Sequence, residues 1–469
     1  MGAWFDAMNR RLRATAYDVL CWRDRISGWK PGREALLASI RKHPIELARE
    51  AEAALQMIVM HAYQTCPHYR ELWDDAGFQP SALRGAAALA DVPFLTKQII
   101  REKKASMVSD RFAAEELELS YTGGTTGVQT SFYLDHSCKV ARVGRQWGMH
   151  ELCGYKPGMR RALVWGVHED LPPGARQGFK RWFRRYASGQ ETLACTIMDE
   201  HLMREYYSRL RGFRPEVVYG YPSALTEFGL FIEERGLAPI RVDTIITTAE
   251  RLSDAKRAQL HRLFGGEVFA LYGTREYGCM AFECTRHDGY HIDAGSVVLE
   301  IVKDGRVARA GESGEIVVTD LLNYGMPFIR SRTGDRGALS ADPCPCGNPL
   351  PLLKSLDGRV SELLYRPDGS RVPGLMLTDL FMQLPTIRYL QFVQESIDRL
   401  EVKLVVAGEL SETLRAQVVR EVQQIMGGAI AIDIRLVDDI ERNPRSGKIE
   451  EVICKVDRHR ESMRMGSGA

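Results

Sequence analysis

The chain runs Ser120-Tyr121-Thr122-Gly123-Gly124-Thr125-Thr126-Gly127 directly after the alternating Leu117-Glu118-Leu119. Glycines here let the backbone turn sharply and come close to a ligand. Threonine hydroxyls and free backbone N–H groups then cradle phosphate oxygens. The Gly-Lys-Ser/Thr ending of a Walker A loop is missing. The stretch therefore predicts a phosphate loop of another kind, entered from a strand.

Outward from this loop, short apolar runs alternate with amphipathic segments. Residues 162–166, 216–220, 243–248 and 267–272 read as buried strands, and 223–235 and 253–264 as helices between them. Strands separated by helices predict a parallel α/β sheet. Thr247-Thr248-Ala249-Glu250 and Tyr272-Gly273-Thr274-Arg275-Glu276 fall at strand C-termini, beyond which open α/β sheets bind their ligands. Upstream, residues 1–65 read as helical, with apolar residues at helical spacing over 47–60. Downstream, strands at 297–302 and 315–319 predict an antiparallel, barrel-like subdomain. After Arg359 a strand (400–406), a helix (411–426) and a strand (430–437) predict a compact α+β domain of usual size. The fold class expected is α/β: a large domain, residues 1–356, with parallel α/β sheets and the barrel-like part, and a small mobile α+β domain, residues 357–469.

At 469 residues the chain is long for one core. Its hydrophobic content of 45% and charged content of 26% are those of an ordinary globular enzyme. A net charge of only +2 gives no global attraction to nucleic acid. No apolar run is long enough for a membrane span, and the N-terminus lacks the apolar region of a secretory signal. The 10 cysteines are scattered, which predicts free thiols in a reducing cytoplasm.

The motifs follow one another in a recognisable order. The loop at 120–127 resembles the phosphate loop of the adenylate-forming ligases, the acyl-CoA synthetase and luciferase superfamily. Thr247–Glu250, Tyr272–Glu276, Arg332-Thr333-Gly334-Asp335, Asp357-Gly358-Arg359 and Ser446-Gly447-Lys448 resemble its later segments. Pro67-His68-Tyr69-Arg70-Glu71-Leu72-Trp73, Val92-Pro93-Phe94-Leu95-Thr96-Lys97 and Gly154-Tyr155-Lys156-Pro157-Gly158 are similar to signatures of the phenylacetate–CoA ligase-like branch. That resemblance implies activation of a carboxylic acid by ATP to an acyl-adenylate, then transfer to CoA. It implies Thr122, Gly123, Gly124, Thr125, Thr126 and Gly127 around the phosphates, Ala249 and Glu250 along the adenine, and Tyr272 and Gly273 stacked on it. Asp335 would bind the ribose hydroxyls, Arg359 would lie at the hinge, Glu276 would hold Mg2+, and Lys448 would be the catalytic lysine. The superfamily often has Thr directly before the glutamate. Here Arg275 stands there, and Thr274 is carried over as the phosphate contact. Val360, Ser361 and Glu362 also depart from the usual hinge.

Two further sets stand out. Cys284, His287, His291 and Cys344-Pro345-Cys346 offer three soft thiolates and an imidazole, the ligand set of a tetrahedral structural zinc. Spacing leaves His287 and His291 open, and the resemblance of Gly289-Tyr290-His291-Ile292 to the branch pattern implies His291. By position, Trp147, His150, Tyr219, Tyr221 and Pro222 are candidates for the acid pocket, and their aromatic content suits an aryl or arylacetic acid. An acceptor other than CoA, as in capsule, exopolysaccharide or natural-product biosynthesis, a non-catalytic scaffold and a homodimer remain open on the sequence.

Overall fold

A computed structural model describes residues 2–23, 26–83, 85, 89–90, 92–121, 130–165, 188–195, 198–359, 363–374, 377, 381, 386–406, 408–428, 430–442 and 449–456. The chain divides into two compact units, the first built from residues 1–252 and 257–356 and the second mainly from 357–444 and 448–469.

The first unit opens with helices α1 (Gly2–Arg23), α2 (Lys30–Ser39), α3 (Pro44–Thr65) and α4 (Pro67–Asp75). Three of them, α2, α3 and α4, carry proline at the first turn, where a missing N–H costs nothing. Helix α5 (Lys97–Met107) starts at Thr96, whose hydroxyl accepts the Ile99 N–H, a typical N-cap bond. Strands β1 (Leu117–Tyr121) and β2 (Ser131–Asp135) pair as an antiparallel hairpin. Helix α6 (His136–Leu152) follows at once, capped by Asp135. Its contact with α2 is close because it is glycine to glycine. A Cβ on Gly144 would lie 2.0 Å from the Trp29 carbonyl oxygen, and one on Gly148 2.8 Å from Leu36.

The large sheet begins with β3 (Arg161–Trp165), β4 (Gln190–Ala194), β5 (Val217–Gly220), β6 (Thr244–Thr248) and β7 (Glu267–Thr274). Adjacent strands among these five are parallel. Every residue of β5 and β6 is buried, as expected of parallel strands covered on both faces. The sheet continues without a break into antiparallel strands: β8 (Gly278–Glu283), β9 (Tyr290–Ile292), β10 (Val297–Lys303), β11 (Arg306–Val307), β12 (Gly314–Asp320), β13 (Ser331–Leu339) and β14 (Leu352–Arg359). The order is β11-β10-β12-β13-β14-β9-β8-β7-β6-β5-β3-β4.

This antiparallel part is strongly curled. β7 and β13 stand four strand steps apart, which a flat sheet would make about 19 Å. Yet the Tyr272 hydroxyl of β7 lies 2.9 Å from the Asp335 carboxylate of β13. Only a sheet bending towards closure brings them together, so the expectation of a barrel-like part is met by curvature within one continuous sheet.

The second unit holds a hairpin, β15 (Leu363–Tyr365) and β16 (Arg371–Pro373), and a four-stranded sheet of β17 (Ile387–Ser396), β18 (Arg399–Val406), β19 (Ala431–Leu436) and β20 (Val452–Cys454). Its order is β19-β18-β17-β20. The helix Glu412–Met426 buries Val418, Val422 and Met426, a spacing of four that lays one stripe into the unit's own core.

Candidate active site and a cysteine–histidine cluster

The parallel ladder sets which loops meet. Gly220 pairs with Thr247, and Thr248 with Leu271, so Tyr221, Ala249 and Tyr272–Glu276 emerge along one edge. Ala249 adopts φ +68, a left-handed conformation that costs a residue with a Cβ roughly 1–2 kcal/mol. Just after it, the Glu250 carboxylate accepts from Ser223 N at 3.0 Å and Ser223 Oγ at 2.9 Å. That places an anion on the N-terminus of the helix Pro222–Glu234, where the helix dipole favours it. The Glu250 side chain, expected along an adenine, thus ties β6 to the helix after β5.

Tyr272 is buried, and burial together with the Asp335 charge pushes its phenol well above the usual range. It remains a hydrogen-bond donor that holds Asp335 in one orientation. Thr333 Oγ1 accepts from Asp335 N at 3.0 Å, and Gly334 takes φ +83 to make that turn. At Gly273 a Cβ would lie 2.4 Å from the Gly278 carbonyl oxygen, so only glycine allows β7 and β8 to approach this closely. Thr274 Oγ1 lies 3.4 Å from the Tyr277 N–H and shapes the turn carrying Arg275 and Glu276.

Glu276 is held from two sides. Arg142 of α6 donates to its backbone carbonyl at 2.8 Å and to Asp320 at 2.5 Å. Its carboxylate lies 3.9 Å from Lys97 Nζ. Lys97 arrives there by an extra pairing on β13. Leu95 N donates to Arg330 O, Arg332 N donates to Leu95 O, and the Phe94 ring sits against both guanidinium groups at 4.3 and 4.6 Å. The Val92–Lys97 signature is therefore a strap that delivers the start of α5 to the site. Three cations on one face of α5 follow from it. Lys97 faces Glu276, Arg101 donates to Thr130 Oγ1 at 3.2 Å, and Lys104 donates to Ser131 Oγ at 2.9 Å. The sequence reading missed this stripe, although its i, i+4, i+7 spacing was visible.

Thr122, Gly123, Gly124, Thr125, Thr126 and Gly127 lie outside the described residues, as does Lys448; the Arg359 side chain is likewise not described. Before and after the 122–127 segment, Tyr121 of β1 pairs opposite Ser131 of β2.

The five expected acid-pocket residues do not share one surface. Trp147 lies among Tyr17, Trp29, His150 and Tyr155, with Nε1 donating to Tyr17 Oη at 3.0 Å. His150 is fully enclosed by Trp147, Tyr155 and Tyr219, and neither ring nitrogen has a partner among the described residues. Trp147, His150 and Tyr219 belong to the core beneath the N-terminal helices, whereas Tyr221 and Pro222 belong to the other side of the sheet. Among the described residues Trp165, the last residue of β3, touches both groups, its ring 6.0 Å from Tyr219 and 4.8 Å from Tyr221. Packing accounts for Trp147 and His150 without a ligand. Trp165, which the sequence offered only as the end of a buried strand, lies at the strand ends.

A second cluster sits at the β8–β9–β14 junction. The ligand atoms of Cys284, His291, Cys344 and Cys346 all lie within 4.8 Å of one another. Cys284 Sγ is 3.7 Å from Cys344 Sγ, and Cys346 Sγ is 3.4 Å from His291 Nε2. A tetrahedron with Zn–S bonds of ~2.3 Å and Zn–N bonds of ~2.05 Å has edges of about 3.8 and 3.5 Å. The spacing is far beyond a covalent S–S bond, about 2.05 Å. Each sulfur also accepts a backbone N–H two residues on: Arg286 for Cys284, Cys346 for Cys344, and Asn348 for Cys346 at 3.4 Å. Burial pushes the Cys284 thiol up to about 12 and raises that of Cys344, and these backbone N–H groups offset part of that rise. His287 stands apart, its Nε2 2.9 Å from Glu267 and its Nδ1 3.0 Å from Arg257. The donor set fits zinc, with His291 and not His287 as the nitrogen ligand.

Comparison with known proteins gives the same direction. Residues 364–455 match the CapK C-terminal domain. The chain is 25% identical over 387 residues to a phenylacetate–coenzyme A ligase of Thermus thermophilus, covering 79% of this chain and 83% of that one. It is 25% identical over 355 residues to the Pseudomonas putida enzyme of the same name, covering 71% and 74%. The crystal structure of 2-hydroxyisobutyryl-CoA ligase in the postadenylation state superposes with a TM-score of 0.74 at 19% identity, covering 91% of this chain and 93% of that one. Over most of its length the chain is thus similar to phenylacetate–coenzyme A ligases, and it shares the fold of 2-hydroxyisobutyryl-CoA ligase.

Proposed function

We propose that the protein is an AMP-forming acid–thiol ligase whose substrates are ATP, a carboxylic acid and CoA. The observation that carries the proposal is the convergence, at one edge of the sheet, of Tyr272–Asp335 with Glu276 and Lys97. In the first step a carboxylate oxygen attacks the α-phosphorus of ATP, the bond to pyrophosphate breaks, and an acyl-adenylate forms. In the second, the CoA thiol loses its proton and attacks the acyl carbon, and AMP leaves.

Asp335 accepts hydrogen bonds from the ribose hydroxyls, in the orientation Tyr272 imposes. Lys97 supplies positive charge where two anions must meet, and the α5 stripe extends it towards the β1–β2 hairpin. The Glu276 carboxylate would hold Mg2+, which neutralises phosphate charge when bound. Lys448 is proposed as the lysine that stabilises charge on the α-phosphate. Trp165 and Tyr221 line the acid's side of the strand ends, which suits an aryl or arylacetic acid. Cys284, His291, Cys344 and Cys346 hold a structural zinc. With four protein ligands it has no open position for substrate.

The test is pyrophosphate release over a panel of aryl, arylacetic and short aliphatic acids, with and without CoA. Release that needs an acid and yields thioester with CoA supports the proposal. No release with any acid refutes it. A second reading has an acceptor other than CoA, and the match of residues 364–455 to the CapK C-terminal domain favours keeping it. Acid-dependent adenylate without thioester would select that reading.

A further inference from the structure

The loop that carries Glu276 is held from outside its own hairpin. β7 and β8 pair as far as Thr274 opposite Gly278, which leaves Arg275, Glu276 and Tyr277 as a three-residue loop. Gly278 closes it at φ +72, the left-handed conformation such loops need. Within the loop, Tyr277 N reaches Thr274 Oγ1 only at 3.4 Å. The firmer hold comes from Arg142, in the second turn of α6. Its Nη2 donates to the Glu276 carbonyl at 2.8 Å. Its stem lies against Gly278, where a Cβ would sit 3.2 Å from Arg142 Cδ.

Arg142 is itself anchored. Its Nη2 also donates to Asp320 of β12 at 2.5 Å, and both side chains are buried. Asp320 Oδ1 accepts Leu322 N at 3.0 Å, and the Cys138 thiol, one turn back on α6, is a further neighbour of the guanidinium. The start of α6 is tied to the same stretch of chain. Asp135, the last residue of β2, caps the helix through Oδ1 and accepts Tyr324 N at 2.8 Å and Gly325 N at 3.1 Å through Oδ2. As a device for stability alone the Arg142–Asp320 pair is poor. Arg142 Nε is buried with no partner among the described residues, and well-packed apolar side chains often replace a buried ion pair without loss. What an apolar pair lacks is a donor for the Glu276 carbonyl.

We propose that Arg142 is a positioning residue of the ligase reaction, which pins the β7–β8 loop so that the Glu276 carboxylate faces Lys97 across the nucleotide edge. The inference rests on the ligase reading of this site. Arg142 acts through the backbone of Glu276. Holding the carbonyl fixes the peptide plane, and with it the direction in which the Glu276 side chain leaves the loop, towards Lys97 Nζ at 3.9 Å. Because α6 starts directly after β2, one guanidinium sets the spacing between the β1–β2 hairpin and the strand end that carries Glu276. Reaction rates are sensitive to such spacing: a displacement of about 1 Å can cost about 10²-fold.

The test uses R142M/D320N, which removes the donor without leaving the Asp320 charge buried alone. Acid-dependent pyrophosphate release is measured at saturating ATP and Mg2+, and amide hydrogen exchange is followed over residues 275–278. The variant should lose about 10–100-fold in kcat, keep its KM for the acid, and exchange faster at 275–278. R142K keeps the charge beside Asp320 but not the full reach, and should fall between this variant and the wild type in both readouts. R145M/D293N removes another buried pair of α6 and should keep kcat, whatever it does to the melting temperature. Wild-type kcat or unchanged exchange at 275–278 in R142M/D320N overturns the proposal. Where that variant does not fold, wild-type kcat and exchange in R142K overturn it instead. An equal loss of kcat in R145M/D293N also overturns it, since buried pairs would then act on the fold at large. A wild type that releases no pyrophosphate with any acid overturns the ligase reading, and the exchange measurement still decides whether Arg142 holds the loop.

Discussion

Replacing Tyr272 by phenylalanine keeps the ring and removes only the hydroxyl, with its hydrogen bonds to Asp335 and Thr333. That hydroxyl donates to a carboxylate at 2.9 Å from a buried position, and hydrogen bonds to charged groups contribute roughly 1.5–3 kcal/mol. Asp335 is only partly buried, so water can replace the phenol, and the loss of fold stability should sit near the lower figure, about 1.5 kcal/mol. Nucleotide binding should weaken separately. Asp335, held less firmly in one rotamer, must be ordered in part by the ribose itself, at up to about 0.5–1.5 kcal/mol, or roughly 2–12-fold in affinity. The phenol is raised in pKa and stays protonated, so both effects should be constant from about pH 6 to pH 9. The assays are urea unfolding for the first and ATP calorimetry for the second. Asp335→Asn and the double variant close a thermodynamic cycle. In the double variant the tyrosine substitution should cost almost nothing further. Unchanged ATP affinity in Tyr272→Phe, with affinity lost in Asp335→Asn, would refute the orienting role of Tyr272.

Cys344→Ser should remove one zinc per chain by metal analysis and lower stability by roughly 4 kcal/mol, the cross-link entropy of a ~50-residue loop; a metal-free wild type of equal stability refutes the site. Lys97→Met should leave the fold intact, since the lysine side chain is 43% exposed, but lower kcat/KM for ATP at least about tenfold, equivalent to ~1.4 kcal/mol. Equal steady-state constants would release Lys97 from the site. His150 predicts a pH effect. Burial, and then Arg161, hold its imidazole well below the ordinary 6.5, so below pH 6.5 the unfolded chain binds a proton that the folded chain refuses. Stability should therefore fall with acid, by up to about 1.4 kcal/mol per pH unit from this residue. His150→Phe should flatten that part of the pH–stability curve, and an unaltered slope would show that His150 is protonated in the fold.

The strand ends were legible because β5, β6 and β7 are short, β-branched and apolar-rich runs that end in unusual residues: Tyr221-Pro222, Ala249-Glu250 and Gly273. The zinc-type cluster was legible from Cys-x-Cys and from the histidine on β9. The Tyr272–Asp335 contact was not, because no local pattern encodes how far a sheet curls over four strand steps. Lys97, Arg101 and Lys104 were visible as a stripe but had no visible target until the Phe94 strap set α5 against β2 and Glu276. Trp147 and His150 were read as pocket residues because aromatic content looks the same in a core as in a binding site. The glycine contact between α2 and α6, with the ring contacts of Trp147 and His150, shows that this stretch of α6 faces inward.

The curl has a thermodynamic side. Asp335 belongs at once to the proposed nucleotide edge and to the tie that keeps β13 over β7, so occupancy and folding are linked quantities. A nucleotide at a hundred times its dissociation constant adds about 2.7 kcal/mol to the stability of any fold that alone binds it. Here part of that gain acts on one local element, because a bound ribose fixes the side chain that bridges the strands. Amide hydrogens of β12 and β13 should then exchange more slowly in the presence of ATP, while those of the fully buried strands β5 and β6 keep their rates. In nucleotide-poor surroundings the antiparallel half would open first, which makes it the place where a protease would start.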